Sequence, residues 1–239
     1  MNRIRISFVL ACYNGELFVN AQIRSILDSL GPNDEIIVSD DGSTDGTRGI
    51  VEAIDDRRIR LMEPSTRLGY QGNFERAIKS SRGEFIFFSD QDDINLWHRI
   101  PESLSALTRY DCVCGDAIIT DVNLNELAPS FFALRKARFG SFQLFVRAAV
   151  IGATMACRRE FVLESLPFPR KVPHDMWLSI RAAQRGRLCA ISRPFILYRR
   201  HQGALSVTGT TTGRSFHQIF AERFRLLVAL ATHRRQRKA

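Results

Sequence analysis

The stretch Glu84-Phe85-Ile86-Phe87-Phe88-Ser89-Asp90-Gln91-Asp92-Asp93 runs from a β-prone apolar segment straight into three carboxylates. Unbroken large apolar residues mark a strand buried on both faces, and the polar run marks that strand's carboxyl end. The same pattern recurs upstream. Ile4 to Cys12 is an apolar run that stops at the turn signal Tyr13-Asn14-Gly15, and Glu35-Ile36-Ile37-Val38-Ser39 stops at Asp40-Asp41-Gly42. Arg58 to Glu63 reads as a further strand. Helical spacings lie between these runs. Leu17, Ala21, Ile23, Ile26, Leu27 and Leu30 form one, closed by Gly31-Pro32; Ser43-Thr44-Asp45 caps another that runs to about Ile54. A Gly-rich loop, Arg67-Leu68-Gly69-Tyr70-Gln71-Gly72-Asn73, leads into a third from Phe74 to Ser81. Four β-then-α units within residues 1–100 predict a doubly wound α/β fold with a parallel sheet. Ligands of such sheets bind beyond the carboxyl ends of the strands, where Asp40-Asp41 and the Asp90 to Asp93 cluster fall.

After Pro101 the pattern changes. Cys112 to Thr120 reads as a strand, Gly140 to Val150 as a helix and Gly152 to Arg158 as a strand. Pro167, Pro169 and Pro173 punctuate the approach to a helix that opens at His174-Asp175-Met176-Trp177 and reaches about Gln184. Leu188 to Tyr198 forms a last strand or two before Arg199-Arg200-His201. No linker composition or internal repeat separates the halves.

The bulk composition sets limits. The 239 residues are 45% hydrophobic and 25% charged, enough for a substantial core and unlike a disordered or fibrous chain. The five cysteines are odd in number and lie in apolar runs, the pattern of reduced thiols in a cytoplasmic protein; Cys112-x-Cys114 has the wrong spacing for a zinc knuckle. Arg3 and Arg5 interrupt what a signal peptide would keep apolar, and no run approaches the roughly 18 apolar residues that span a bilayer. Of the net charge of +9, six units come from residues 214–239, where seven Lys or Arg face the single acid Glu222. The high pI of about 9.9 is therefore a property of the tail and does not indicate nucleic-acid binding.

Three carboxylates within Asp90-Gln91-Asp92-Asp93 repel one another unless a cation balances them, and oxygen ligands at a strand end suit Mg²⁺ or Mn²⁺ bridging a diphosphate. A solvated acidic turn capping the next helix fits the same residues. Asp40-Asp41 offers acceptors for a base N–H and ribose hydroxyls, or a turn with a helix cap. Arg67-Leu68-Gly69 and Asn73 supply a cation and pliable backbone but lack the G-x-G-x-x-G and Walker patterns, which disfavours a dinucleotide oxidoreductase. Asp175, at a helix start, suits a general base near an acceptor hydroxyl or an ordinary N-cap worth about 1 kcal/mol. His201 suits a metal or a phosphate. No G-x-S-x-G elbow is present, and no cysteine has an electropositive niche.

Taken together, Val9-Leu10-Ala11-Cys12-Tyr13-Asn14-Gly15-Glu16, Ser39-Asp40-Asp41-Gly42-Ser43-Thr44-Asp45-Gly46-Thr47 and Ser89-Asp90-Gln91-Asp92-Asp93 resemble the family 2 glycosyltransferases of GT-A fold. Gly152-Ala153-Thr154-Met155, Pro173-His174-Asp175-Met176-Trp177 and Leu197-Tyr198-Arg199-Arg200-His201 resemble its bacterial rhamnosyltransferase-like subgroup, from which Met176 and the late Trp97 depart. The resemblance implies a Rossmann-like, mostly parallel sheet flanked by helices, and a catalytic domain over residues 1–206. Residues 1–100 would form its nucleotide-sugar half and 101–206 its acceptor half, with a basic tail at 207–239. It implies that Ala11, Tyr13, Glu16, Asp40, Asp41, Arg67, Asn73, Asp90 and Gln91 bind the nucleotide sugar, and that Asp92 and His201 hold Mg²⁺ or Mn²⁺. Asp175 would be the base of an inverting transfer, while Gly152, Ala153, Thr154, His174 and Trp177 shape the acceptor site.

The expected donor is UDP- or dTDP-linked, and the expected acceptor is a cell-surface glycan, free or lipid-linked. A nucleotidyltransferase would carry a Gly-rich loop with Arg and Lys where Ala11 to Glu16 stand. Intact Asp90, Asp92 and Asp175 argue against a catalytically silent glycan-binding module. Phe216, Ile219, Phe220, Phe224, Leu227 and Leu230 recur at helical spacing ahead of His233-Arg234-Arg235-Gln236-Arg237-Lys238. This spacing predicts a helix packed on the domain, or one that contacts the inner face of the cytoplasmic membrane peripherally.

Overall fold

The computed structural model describes residues 5–63, 66–147, 149–201 and 216–236. Its centre is a mixed sheet whose order is β3-β2-β1-β4-β8-β6-β9-β5. The strands are β1 Ile6–Cys12, β2 Glu35–Asp40, β3 Ile59–Leu61, β4 Phe85–Asp90, β5 Ile94–Asn95, β6 Cys112–Thr120, β7 Glu126–Ala128, β8 Met155–Arg158 and β9 Leu188–Arg199, with β7 pairing β6 off the main path. Strands β3, β2, β1 and β4 run parallel, as the β-then-α pattern predicts. The parallel order then breaks, because β8 lies antiparallel to both β4 and β6.

The helices are α1 Val19–Leu27, α2 Thr47–Glu52, α3 Gly69–Ser80, α4 Arg99–Leu107, α5 Phe131–Arg135, α6 Ser141–Val146, α7 Arg159–Leu163, α8 His174–Gln184 and α9 Phe216–Gln236. Period-two alternation in β1 divides the core. Ile6, Phe8 and Leu10 face one layer with Val19, Ile23 and Ile26 of α1, while Val9 faces the other with Phe74, Ala77 and Ile78 of α3. Trp177, Leu178 and Ile180 of α8 and Leu226 of α9 belong to that second layer. All five cysteines are free thiols, four of them buried.

Three local expectations change. Helix α3 begins at Gly69, inside the expected loop, because Asp41 accepts the N–H groups of Leu68 (2.6 Å) and Gly69 (2.9 Å) and so caps the helix from another strand end. The helix expected over 140–150 ends at Val146, where Arg147 turns extended. Gly152–Thr154 is a 3-10 turn, and only Met155–Arg158 is strand.

The amino ends of β1, β2 and β4 are tied by a polar knot. Ser7 Oγ donates to Glu35 Oε1 (2.6 Å) and accepts from Gly83 N (2.8 Å), and Glu35 also accepts from Arg82 N (2.8 Å) and Arg60 (3.3 Å). A Cβ on Gly83 would lie 2.6 Å from Ser7 N and 2.7 Å from the Ile6 carbonyl carbon, both backbone atoms that cannot rotate away. Gly83→Ala is therefore expected to destabilise the fold by about 2 kcal/mol, the scale of overpacking. Urea unfolding checks this, and an unchanged midpoint would count against the strand packing described.

Candidate active site

Strand register assembles the site. It sets Cys12 opposite Asp40 and Ala11 opposite Asp90, so the acidic ends of β2 and β4 flank the end of β1. The loop after β1 is laced to the loop after β2. Asn14 N donates to Ser43 Oγ (2.9 Å), Gly15 N to Thr47 Oγ1 (2.7 Å), Glu16 N to Asp45 (3.1 Å), Thr44 N to Asn14 Oδ1 (2.8 Å) and Gly46 N to Glu16 (2.8 Å). Gln91 spans the other side, its amide accepting from Tyr13 N (2.8 Å) and donating to Tyr13 O (3.0 Å). A Cβ on Gly15 would fall 2.3 Å from Gln91 Oε1, so this clasp needs glycine there. Arg67 lies 4.0 Å over the Tyr13 ring.

Asp40 and Asp41 are both buried and engaged with the protein's own backbone. Asp40 accepts from the N–H (3.1 Å) and hydroxyl of Ser43, while Asp41 caps α3. The turn-and-cap reading of this pair is the one the geometry displays. Asn73 donates to Ser39 O (2.7 Å) and Cys12 O (3.3 Å), bracing β1 against β2; its buried Oδ1 has no partner.

At the end of β4, burial and then the charges of Asp92 and Asp175 push the Asp90 carboxyl up to about 7, against the pull of Arg99. Asp93 is buried. Burial and the charges of Asp92 and Asp90 raise its carboxyl well above the usual range; one oxygen accepts Arg199 N (3.1 Å) and the other is unpartnered.

The internal counter-charge is Arg99, at 0% exposure. Its guanidinium donates to Phe88 O (2.7 Å), Met155 O (3.1 Å) and Asn95 Oδ1 (3.3 Å) and lies 5.2 Å and 5.5 Å from the rings of Phe8 and Phe87. Burial draws it down to about 9, while Asp93 and Asp90 hold it up. Asp92 Oδ2 lies 2.8 Å from His201 Nε2, and Asp92 O accepts Arg199 Nε (2.8 Å). The Phe18 ring packs on both Arg199 (4.9 Å) and His201 (4.8 Å). Among the described residues, no group of three His, Cys, Asp or Glu side chains could hold a metal ion. Arg99, Arg199 and Phe18 are absent from the sequence-based site; the demand for cations beside three carboxylates was the available signal for the two arginines.

Helix α8 faces this cluster with its first turn. Asp175 lies close enough for its charge to act on Asp90, and its Oδ1 accepts Met176 N (2.7 Å). Gly152 allows the approach, since a Cβ there would lie 2.6 Å from His174 Nε2 and 3.6 Å from Asp175 Cβ. His174 is buried against Phe74 (4.7 Å), Phe88 (5.3 Å), Phe168 (5.8 Å) and Tyr70 (6.3 Å), and neither ring nitrogen has a hydrogen-bond partner. Three further residues of the expected acceptor site are buried in the fold. Trp177 is 2% exposed and donates Nε1–H to Ser165 O (2.9 Å), and Ala153 and Thr154 are fully buried, the Thr154 hydroxyl donating to Ile151 O (2.9 Å).

Comparison with known proteins places the chain in context. The profile described as "Glycosyl transferase family 2" matches residues 7–166. An Escherichia coli relative, UDP-Glc:alpha-D-GlcNAc-diphosphoundecaprenol beta-1,3-glucosyltransferase WfgD, is 29% identical over 86% of this chain and 81% of its own. The dTDP-rhamnosyl transferase RfbG of Shigella flexneri is 30% identical over 81% and 72%. Among solved structures, S. aureus TarS 1-349 with UDP-GlcNAc aligns at a TM-score of 0.72 and 17% identity, covering 94% of this chain and 67% of that one. Glucosyl-3-phosphoglycerate synthase of Mycobacterium tuberculosis, crystallised with Mn²⁺, UDP and phosphoglyceric acid, aligns at 0.61 and 22% identity, over 97% and 78%. At these identities the structural likeness is one of fold, and that fold is GT-A.

The aromatic box around His174 generates a pH dependence. Desolvation pushes the imidazole down to about 4. As pH falls below about 6.5 the unfolded chain takes up a proton that the folded imidazole refuses until about 4, so stability declines across that window by up to about 3 kcal/mol. His174→Phe is expected to remove this part of the decline. Urea unfolding of both proteins at about pH 7 and about pH 4.5 isolates it; equal declines would contradict the assignment.

Proposed function

The chain belongs to glycosyl transferase family 2, and on that premise we propose that it is an inverting enzyme that moves a sugar from a UDP- or dTDP-linked donor to a hydroxyl of a cell-surface glycan. Membership itself makes it a nucleotide-sugar-dependent glycosyltransferase. The observation that carries the finer reading is the convergence of Asp175 on the acidic end of β4, with Gly152 leaving room for the approach.

In this reading the nucleotide lies over the end of β1. Tyr13 and Arg67 offer a stacked, cationic platform for the base and diphosphate, and Asn73 braces the ends of β1 and β2 beneath it. Ala11, Glu16, Asp40, Asp41 and Gln91 give the pocket its shape, mostly by holding the two loops in register. Residues 1–100 then serve the donor and residues 101–206 the acceptor.

The donor set fits a divalent cation. Asp92 and His201 face each other across 2.8 Å, and Asp90 and Asp93 are crowded carboxyls that resist ionising unless a cation joins Arg99 and Arg199 beside them. Mg²⁺ or Mn²⁺ needs only one or two protein ligands when diphosphate oxygens and water complete the shell. Bound there, it would neutralise charge on the departing diphosphate. The protein's own work is positional. Met176 N–H fixes the Asp175 carboxylate, which takes the proton from the attacking hydroxyl, and the neutral His174 beside it adds no competing charge. The activities of the Escherichia coli and Shigella flexneri relatives support the donor classes and a lipid-linked glycan acceptor, which would place the enzyme at the cytoplasmic face of a membrane.

Two expectations test the assignments. Asp175→Asn should lower transfer on the order of a thousandfold while UDP affinity stays within about twofold, measured by product formation and calorimetry. Loss of UDP binding in that variant would move Asp175 out of the base role. Asp92→Ala should abolish the Mn²⁺-dependent part of UDP binding, and metal-dependent affinity that survives the substitution would sink the ligand assignment.

A further inference from the structure

Helices α6 and α9 turn an apolar face outward. Phe142 and Val146 of α6 and Phe220, Phe224 and Leu227 of α9 are between 52% and 73% exposed. The two helices belong to one surface. Leu144 and Leu226 are buried in the same core layer, and the Arg223 guanidinium lies 6.0 Å over the Phe145 ring. Phe142 and Val146 flank Phe145 on α6, while Phe220, Phe224 and Leu227 flank Arg223 on α9, at helical spacing.

The charge around this face is one-sided. No Asp or Glu occurs from residue 127 to 159, and the one acid of α9, Glu222, is held by Arg223 at 2.8 Å. Lys136, Arg138 and Arg147 around α6, and Arg225 on α9, are exposed. Aromatic and aliphatic side chains bordered by cations fit a surface that is apolar beneath and anionic above. A second copy of the chain would instead set these cations against their like. No helix among the described residues is long and apolar enough to cross a membrane.

We propose that the joined α6–α9 face docks on an anionic phospholipid bilayer. The docking does not depend on the donor and acceptor proposed above, but its placement bears on them. Arg223 meets Met176 Sδ at 2.7 Å, and Met176 follows Asp175, so the docking face adjoins the turn that carries the base. On the lipid-linked reading, the bilayer would deliver the acceptor hydroxyl beside Asp175.

Flotation of the full chain with vesicles of phosphatidylcholine, alone or with phosphatidylglycerol added, tests this. The wild-type chain should float with the anionic vesicles and not with the neutral ones. The double variant Phe220→Ser with Phe224→Ser, and separately Lys136→Gln with Arg147→Gln, should each weaken that binding on the order of tenfold or more. UDP binding should stay at the wild-type level in both and so report an intact fold. Should the Phe variant lose UDP binding, the exposed charge variant decides alone. Equal flotation with both vesicle types, no flotation, or charge-variant binding equal to wild type would overturn the proposal. So would a dimer in sedimentation velocity that the Phe variant dissolves, since the face would then belong to a second copy.

Discussion

Carboxylates gathered at the end of one strand repel one another, and burying them without compensation would cost several kcal/mol each. In this protein the compensation comes from Arg99, fully buried against the stacked rings of Phe8 and Phe87 and bonded to carbonyls of β4 and β8. That contact sits where the sheet changes direction. The antiparallel β8 brings Met155 O to Arg99, so a single cation ties the parallel strands to the mixed second half, beside the acidic cluster.

The remaining polar groups follow from the same constraint. Arg199 takes its share of the acidic loop by donating through its backbone to Asp93 and through its side chain to Asp92 O, and His201 closes on Asp92. Asp40 and Asp41 avoid the repulsion by turning into backbone N–H groups, which turns an acidic strand end into loop scaffolding. The site therefore mixes carboxylates already satisfied by the fold with others, Asp90 and Asp93 above all, that are held at an electrostatic cost. Such unrelieved charge is common where a ligand completes the balance.

What the sequence discloses follows from how local each cause is. Strands β1, β2 and β4 are legible because burial on both faces writes an unbroken apolar run, and α8 is legible because Pro173 and its own first turn mark its start. The family and its GT-A fold are legible from motif order alone. The start of α3 is not, because its cap is Asp41, 28 residues from Gly69. Nor is the inward turn of Trp177, whose partner Ser165 lies across a loop. Arg99 is hidden for the same reason: one arginine in a helix looks solvated until the fold wraps β4 and β8 around it. Residues whose surroundings are distant in the chain are the ones a linear reading misplaces.

Strand β9 adds a dimension that a finished structure conceals, namely time. It lies between β6 and β5, and among the described residues β5 has no other strand neighbour. The residues at its end, Arg199 and His201, supply the groups that meet Asp92 and Asp93. On the ribosome the acidic cluster therefore emerges roughly a hundred residues before the groups that steady it, a delay on the order of ten seconds at ordinary synthesis rates. Until that last strand arrives, a nascent chain can carry the parallel strands β1 to β4 but not the partners of the acidic loop, so the cluster is completed only when the whole sheet has been laid down.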